Sequence, residues 1–291
     1  MTSCSQPGCF PAAEGGRYAD SPCGAAAKRE ENQEKSSNDV LNQPFTKTEL
    51  NRALKKTKLT APGKDQICYI MLNHLSESSK EILLELYNKV WEGGKLPLSW
   101  KEVIVVPIRK PGKDCTNPGN YQPIALTSNI CKIMEKIIND RLTYYIESKG
   151  NITKYQSGFR RGRNTMDPAV CLEHEVRRAQ INRESVVAVF FDVEKAYDMM
   201  WGEGLLIRLS KLGIKGRMYR WIRDVLFGRF KYIYISKNRE EILWETCTGT
   251  PQGSIISPLL FNILINEVFT GIETEMGVSL FADDGAIWKR G

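Results

Sequence analysis

Residues 186–192 read Val-Val-Ala-Val-Phe-Phe-Asp, an apolar run that ends on a carboxylate. A second, largely apolar run at residues 278–282 ends on Asp283 and Asp284. Short runs of this kind predict buried strands. A carboxylate at the end of a buried strand needs compensating charge, and a pair of divalent cations about 4 Å apart supplies it when separate strands contribute the acidic ligands. The alternative for each Asp alone is a cap or turn role, which Asp-Asp-Gly sequences commonly take.

The remaining periodicity predicts helices and strands that are interleaved. The first helix starts at a capping box of Thr46 and Glu49, preceded by Phe45, which can pack onto Leu50. Apolar residues at 3.6-residue spacing predict further helices over residues 82–90, 130–142, 205–212, 218–226 and 257–268. Strands are predicted at residues 103–108, 186–191, 230–235, 278–281 and 286–289, with a hairpin turn at 237–239. Because the order is not a strict βαβ alternation, the predicted fold class is α+β.

Composition narrows the class of protein and its partners. The 291 residues are 42% apolar, which suits about two folded domains and excludes fibrous and wholly disordered chains. A net charge of +7 favours a polyanionic partner. The chain does not open with an apolar signal region, and no run is apolar enough to span a bilayer, so neither secretion nor a membrane partner is expected. Residues 1–44, rich in Gly, Ala, Ser, Pro and Glu, predict a disordered leader.

Two further segments suit a phosphate-bearing ligand. Residues 249–258 read Gly-Thr-Pro-Gln-Gly-Ser-Ile-Ile-Ser-Pro, a loop that leads into a helix N-terminus, where free N–H groups can hold a phosphate. Residues 154–163 read Lys-Tyr-Gln-Ser-Gly-Phe-Arg-Arg-Gly-Arg and combine cations, aromatic rings and Gly, as surfaces that contact a nucleic-acid backbone do. The alternatives are an ordinary turn and cap for the first segment and a solvated basic loop for the second.

Taken in chain order, these segments resemble the reverse transcriptases of non-LTR (LINE-like) retrotransposons over about residues 45–291. Residues 189–198 resemble the family's first catalytic strand, residues 249–258 its loop on the dNTP side, and residues 281–284, Phe-Ala-Asp-Asp, its paired-Asp hairpin. Four upstream segments resemble the family's fingers motifs: Ala61-Pro62-Gly63-Lys64-Asp65, Lys110-Pro111-Gly112-Lys113-Asp114, Tyr121-Gln122-Pro123-Ile124-Ala125-Leu126-Thr127-Ser128 and Gln156-Ser157-Gly158-Phe159-Arg160.

The resemblance implies a right-hand polymerase fold of reverse-transcriptase type. Its fingers, helical and with basic loops, would cover residues 45–184, and the catalytic part of its palm would cover residues 185–291. Measured against the family pattern, the chain ends seven residues after Asp284, so the later palm segments and the thumb are expected to be absent.

The same resemblance assigns three groups of site residues. The catalytic carboxylates are Asp192, Asp283 and Asp284, and the Val193 carbonyl joins them as a metal ligand. The nucleotide-binding residues are Lys110, Tyr197, Gln252 and Gly253. The nucleic-acid-binding residues are Arg160, Arg161 and Arg163. Among the nucleotide-binding residues, the bulky Tyr197 is expected to be the gate against a ribose 2′-hydroxyl.

The implied reaction is RNA-templated DNA synthesis, in which a nucleotide passes from a dNTP to a primer 3′-hydroxyl with two Mg²⁺ ions, Mn²⁺ being the alternative ion. The implied partners are an RNA template, a DNA primer and dNTP, and no membrane. An element enzyme of this kind is expected in the nucleus or in a cytoplasmic RNA-protein particle. The sequence does not indicate an oligomeric state.

Two other classes of function stay open. Gln122 stands where the family has Arg, and it lacks the fixed cationic fork that suits a phosphate. This departure favours a decayed or repurposed copy that binds RNA without polymerising, and such a protein should tolerate Asp283→Asn. A palm-like cyclase or metal-dependent phosphohydrolase would use the same two-metal chemistry without a template. Residues 249–258 and the fingers-like segments argue against that third class.

Overall fold

The packed part of the chain begins earlier than predicted. The computed structural model describes residues 40–55, 57, 60–227, 229–235, 240–246, 249–250, 253–272 and 275–291. Val40–Asn42 form a 3-10 turn, and its Leu41 is 2% exposed. The side-chain oxygen of Asn42 accepts a 3.0 Å hydrogen bond from the Met218 backbone N–H. Residues 40–44, assigned above to the leader, are therefore part of the fold, whereas residues 1–39 and the hairpin turn predicted at 237–239 lie outside the described ranges.

The described ranges contain nine α-helices and seven strands. The helices are α1 (Lys47–Lys55), α2 (Tyr69–Asn73), α3 (Glu77–Gly93), α4 (Leu98–Lys101), α5 (Asn129–Ser148), α6 (Met166–Asn182), α7 (Gly202–Lys211), α8 (Gly216–Leu226) and α9 (Ser257–Ile265). The strands are β1 (Glu102–Arg109), β2 (Tyr121–Leu126), β3 (Val186–Asp192), β4 (Arg229–Ile235), β5 (Glu240–Thr246), β6 (Gly277–Phe281) and β7 (Asp284–Arg290). The predicted mixture of helix and sheet is confirmed.

Local sequence signals account for several helix ends. The Thr46 backbone N–H donates to Glu49 at 2.8 Å, and the Thr46 hydroxyl accepts from the Glu49 N–H at 3.3 Å, so the predicted capping box starts α1. Helix α3 ends at Gly94, which has the left-handed φ of +63° that glycine adopts readily. The Ser128 hydroxyl caps α5 by accepting the Cys131 N–H.

The strands form two sheets. The first, sheet A, has the order β2-β1-β4-β5, with β1 and β4 parallel and the other two pairs antiparallel. The second, sheet B, has the order β3-β7-β6 and is antiparallel throughout. Sheet A combines strands from both sides of the boundary predicted between residues 184 and 185.

One large hydrophobic core joins α1, α3, α5, α7, α8 and α9. Trp91, Trp221 and Tyr87 are among its largest fully buried side chains. The buried faces of these helices therefore pack against one another, as expected for helices whose apolar residues recur every three to four positions. The stripe predicted for α3 is only partly correct, because Ile82 and Leu86 are 69% and 41% exposed. In the described part of the chain, none of the helices combines the length and the apolarity that a bilayer span requires.

Several elements differ from the sequence prediction, which also lacks the short helices α2 and α4. Helix α6 was not predicted, because its apolar residues do not form a buried stripe: Val170 and Ile181 are exposed, whereas Ala179 is buried. Strand β2 was not predicted as a strand, because it contains Pro123, a residue that cannot donate to a ladder. Helix α9 ends at Ile265, so Val268, predicted to lie in the helix, is in a turn and 51% exposed.

Candidate active site

Three carboxylates meet at one end of sheet B. Asp192 is the last residue of β3, and Asp284 is the first residue of β7. The two residues are directly opposite in the antiparallel register, and Asp283 lies in the tight turn that joins β6 to β7. Asp192 and Asp284 are exposed, and Asp283 is half-buried. Strand pairing thus brings Asp192 beside Asp283 and Asp284, which lie 91 and 92 positions further along the sequence. Strand β3 is not the buried strand that its apolar run predicted, because Val187 and Phe190 are each 69% exposed.

The electrostatics of this acidic end favour a cation. Partial burial raises the pKa of the Asp284 carboxyl, and the neighbouring charges of Asp283 and Asp192 raise it further. Carboxylate oxygens are the hard ligands that Mg²⁺ prefers, so the donor chemistry fits a divalent ion, which would relieve the same repulsion. As oriented in the described ranges, no three acidic, His or Cys side chains already surround a common ion position. Val193, predicted to add a carbonyl ligand, follows Asp192 directly and is exposed.

Tyr197 lies next to the acidic end. Its ring packs on Phe261 of α9, with 5.3 Å between ring centroids. Its hydroxyl is buried and has no hydrogen-bond partner in the described structure. Burial, together with the charge of Asp283, raises the pKa of this phenol to about 12. Tyr197 is therefore neutral at physiological pH and presents an unpaired O–H near one of the three carboxylates.

The loop that precedes α9 contacts the turn after β3 and strand β2 of sheet A. At Gly249, with φ of +76°, an added Cβ would lie 2.4 Å from the Asp198 carbonyl oxygen, so this position requires glycine. The Thr250 N–H donates to the Tyr197 carbonyl at 2.8 Å. An added Cβ at Gly253 would lie 2.6 Å from the carbonyl oxygen of Ala125 in β2. Gln252, predicted to bind nucleotide, lies outside the described residues.

A buried carboxylate holds the second half of this loop. Glu135 of α5 is fully buried and accepts hydrogen bonds from the Ser254 hydroxyl at 2.8 Å and the Ile255 N–H at 2.7 Å. Glu135 is not among the residues predicted from the sequence. The signal was present, because Glu135 stands between Ile133, Met134 and Ile137 on an otherwise apolar helix face, where a charge must find a partner.

Lys110 and Gln122 lie on the hairpin of β1 and β2. Lys110 follows the last residue of β1, is exposed, and donates its backbone N–H to the Asn120 carbonyl at 2.9 Å. Gln122 is an exposed residue of β2 opposite Ile108. Both side chains are therefore accessible at this hairpin of sheet A.

The three predicted nucleic-acid-binding arginines occupy different environments. The Arg160 guanidinium is engaged within the chain: it pairs with Glu147 at 2.6 and 2.8 Å and donates to the carbonyls of Thr153 and Gln156. Its side chain is 14% exposed, so it acts as a structural tie. Arg161 is exposed, and the Arg163 side chain is 42% exposed with Asp167 at 4.0 Å. Arg161 and Arg163 are thus the members of the group that face solvent.

A family model described as "Reverse transcriptase (RNA-dependent DNA polymerase)" matches residues 108–291. Among curated relatives, "Probable RNA-directed DNA polymerase from transposon BS" of Drosophila melanogaster is 30% identical, over 76% of this chain and 24% of that protein. "RNA-directed DNA polymerase from mobile element jockey" of the same species is 28% identical, over 78% of this chain and 25% of that protein. "Probable RNA-directed DNA polymerase from transposon X-element", also from D. melanogaster, is 27% identical, over 89% of this chain and 30% of that protein.

The chain thus spans about a quarter to a third of the length of these curated relatives. A solved structure of apo telomerase from Candida tropicalis, truncated from its C-terminal domain, aligns with a TM-score of 0.46 at 11% identity, covering 76% of this chain and 56% of that one. A likeness of that size is too remote to assign residues.

Proposed function

The chain belongs to the reverse transcriptase family, and on that premise we propose that it carries the nucleotidyl-transfer centre of an RNA-directed DNA polymerase of the non-LTR retrotransposon kind. The observation that carries this proposal is the register of sheet B. Asp192 and Asp284 are opposite one another, and Asp283 precedes Asp284 in the turn. The proposed fold assignment is a right-hand polymerase, with sheet B in the palm and the hairpin of β1 and β2 in the fingers.

In the proposed reaction, Asp192, Asp283 and Asp284 bind divalent metal at the end of sheet B. Bound Mg²⁺ would supply the positive charge that promotes ionisation of a primer 3′-hydroxyl and neutralises the dNTP triphosphate. The protein's own contribution is to hold acidic ligands from two strands on a rigid sheet, where their repulsion already favours a cation.

The nucleotide side of the site is proposed to involve Tyr197, the loop 249–258 and Lys110. The Tyr197 ring packs against Phe261, and its bulk beside the carboxylates suits exclusion of a ribose 2′-hydroxyl. Gly253 has no side chain, which lets the loop 249–258 lie directly against β2 and places its backbone beside the hairpin that carries Lys110. Lys110 is an exposed cation at the end of β1, where it can meet a triphosphate.

Template and primer are proposed to lie along the exposed cations that follow the 153–160 segment. Arg161 and Arg163 can contact phosphates because their side chains face solvent. Arg160 contributes indirectly, because it holds the segment in place through Glu147.

The test is Mg²⁺-dependent incorporation of dNTP by this chain on a primed RNA template. We expect extension by the natural sequence, loss of extension to background in Asp283→Asn, and full extension in Glu173→Gln. Glu173 is the matched control because it is an exposed carboxylate of α6 whose partner is Arg177, four residues along the same helix.

The contrary outcomes identify the rival functions. RNA binding without extension, equally strong in Asp283→Asn, would mean that the chain is an RNA-binding relic, the class that Gln122 favours. Nucleotide cyclisation or release of phosphate without primer extension would indicate a template-independent metal enzyme. Either result overturns the proposed polymerase activity.

A further inference from the structure

We propose that Gln156 is a positioning residue for the catalytic turn: it fixes the backbone between β6 and β7, and through it the directions of Asp283 and Asp284. The inference deepens the proposed function and rests on it for its catalytic consequence. The effect of Gln156 on the conformation of the turn is independent of the proposed function and can be measured without activity.

The Gln156 carboxamide spans two segments that are 126 residues apart. It is 1% exposed. Its side-chain oxygen accepts the Ala282 N–H at 2.9 Å and the Gly158 N–H at 2.8 Å, while its side-chain nitrogen donates to the Ala282 carbonyl at 3.3 Å. A primary amide can serve both backbone groups of one residue in this way, whereas a carboxylate can only accept and an ammonium can only donate.

The residue that Gln156 holds is strained. Ala282 has φ of +57°, a left-handed conformation that residues other than glycine adopt at some cost in energy. Such a conformation persists only where neighbouring groups determine it. Ala282 directly precedes Asp283, so a change in its backbone would turn both carboxylates relative to Asp192.

The backbones on either side of the Gln156–Ala282 hydrogen bonds also pack closely. The Ser157 N–H donates to the Leu280 carbonyl, and the Leu280 N–H donates to the Tyr155 carbonyl, each at 2.9 Å. These bonds extend sheet B by a short parallel bridge. At Gly158, an added Cβ would lie 2.2 Å from the Ala282 nitrogen, so the two segments are in direct contact.

Residues 156–160, which carry Gln156, are themselves held by two helices. Arg160, paired with Glu147 of α5, donates to the carbonyl of Gln156. Asn262 of α9 donates to the Gly158 carbonyl at 2.8 Å. The catalytic turn is therefore connected to the helical core through a neutral amide, which adds no charge to the three repelling carboxylates.

The test compares Gln156→Met with Asn266→Ala. Methionine keeps the length of the side chain and removes all three hydrogen bonds. Asn266 anchors the same segment at its other end by accepting the Thr153 N–H at 2.6 Å, and its contact is remote from the turn. Each protein is measured in three ways: hydrogen exchange of the peptide covering residues 277–288, Mn²⁺ affinity by electron paramagnetic resonance, and the kinetics of dNTP incorporation.

For Gln156→Met we expect faster exchange in that peptide, about 10- to 100-fold weaker Mn²⁺ binding, and a similar loss of kcat with little change in the KM for dNTP, because outer partners of metal ligands have effects of this size. Asn266→Ala should leave all three quantities near those of the natural sequence. Equal effects of the two variants, or no effect of Gln156→Met, would overturn the proposal.

A measurement on the natural sequence covers the case in which Gln156→Met does not fold. The Ala282 N–H should be strongly protected from exchange although it lies in a turn outside the strand ladder, because its acceptor is the buried Gln156 side chain. Rapid exchange of this amide would also overturn the proposal. If the natural sequence does not polymerise, the proposed function fails, while the exchange and Mn²⁺ measurements still decide whether Gln156 holds the turn.

Discussion

The ionised Asp284 carboxylate destabilises the metal-free fold, and in the proposed function it would bind a cation. Its pKa lies above the ordinary carboxyl value because burial and the charges of Asp283 and Asp192 disfavour ionisation. In the folded protein the ionised form is therefore less favourable than in the unfolded chain. This penalty is complete at neutral pH and disappears as the pH falls through the raised pKa and then below about 4, where the carboxyl is protonated in both states.

We therefore expect Asp284→Asn to raise the melting temperature in EDTA at pH 7, by an amount of the order of 1 °C. The gain should shrink as the pH is lowered towards 4. In saturating Mg²⁺ the order should reverse, because the natural sequence gains the free energy of ion binding. Thermal melts at several pH values check this, and a melting temperature that falls in EDTA would contradict the electrostatic account.

Substitutions of the neighbouring residues Arg160 and Arg161 should affect different properties, the first the free energy of unfolding and the second the affinity for RNA. Arg160→Ala removes four internal hydrogen bonds and should lower the free energy of unfolding by about 1–3 kcal/mol. Arg161→Ala should leave stability unchanged and weaken binding to single-stranded RNA, with a shallower dependence of affinity on salt concentration. Urea denaturation and RNA-binding titrations at several salt concentrations are the measurements. If Arg160→Ala changed only the RNA affinity, the structural role assigned to Arg160 would be wrong.

The site residues show which features a sequence can reveal. Asp192, Asp283 and Asp284 were predictable because each follows an apolar run, and strand pairing brings strand ends together. The internal role of Arg160 was not predictable, because its pairing with Glu147, 13 residues earlier at the end of α5, depends on how the chain turns back after that helix. The sequence pattern of a basic cluster does not distinguish an arginine that contacts RNA from one that pairs with a carboxylate of the same chain.

At the scale of elements, α5 links the helical core to the loop before α9. Glu135 is the link, and its fully buried charge lies beside Lys132, whose pKa is lowered by burial although the charge of Glu135 opposes that effect. Through their hydrogen bonds to Glu135, Ser254 and Ile255 are held by a residue of helix α5 and not only by contacts within the loop.

Glu135→Ala should lower the free energy of unfolding by about 2–4 kcal/mol, because it leaves the Ser254 hydroxyl and the Ile255 N–H buried without an acceptor. Glu135→Gln, which keeps an acceptor, should cost less. A double-mutant cycle with Ser254→Ala measures the shared part by chemical denaturation. Additive effects of the two substitutions would show that the hydrogen bond contributes nothing.

Elements with a clear apolar period were predictable, and those held by context were not. The stripe of α5 and the alternation at β4 were visible in the sequence. Helix α6 exposes several of its apolar residues, so tertiary surroundings decide its conformation. Strand β2 places Pro123 opposite Pro107, a pairing that local propensity disfavours and that only the assembled sheet explains.

At the scale of the whole molecule, residues 40–44 close one side of the core. Leu41 is buried there, and the Arg217 guanidinium donates to the Asn42 carbonyl at 3.1 Å. Leu41→Ala should lower the free energy of unfolding by about 2–3 kcal/mol. Val40→Ala, at a neighbouring side chain that is 68% exposed, should change it by less than about 0.5 kcal/mol. Equal effects in denaturation experiments would show that this segment does not pack.

The parallel pairing of β1 with β4 also bears on how the protein is made. Glu102 of β1 pairs opposite Phe230 of β4, so a ribosome adding about 5–20 residues per second completes β4 roughly 6–26 s after β1. During that interval one edge of β1 has no strand to pair with, and open edges recruit strands from other chains. Glu102, Pro107 and Arg109 are residues that discourage such recruitment. The order in which the strands are synthesised thus becomes a determinant of soluble yield.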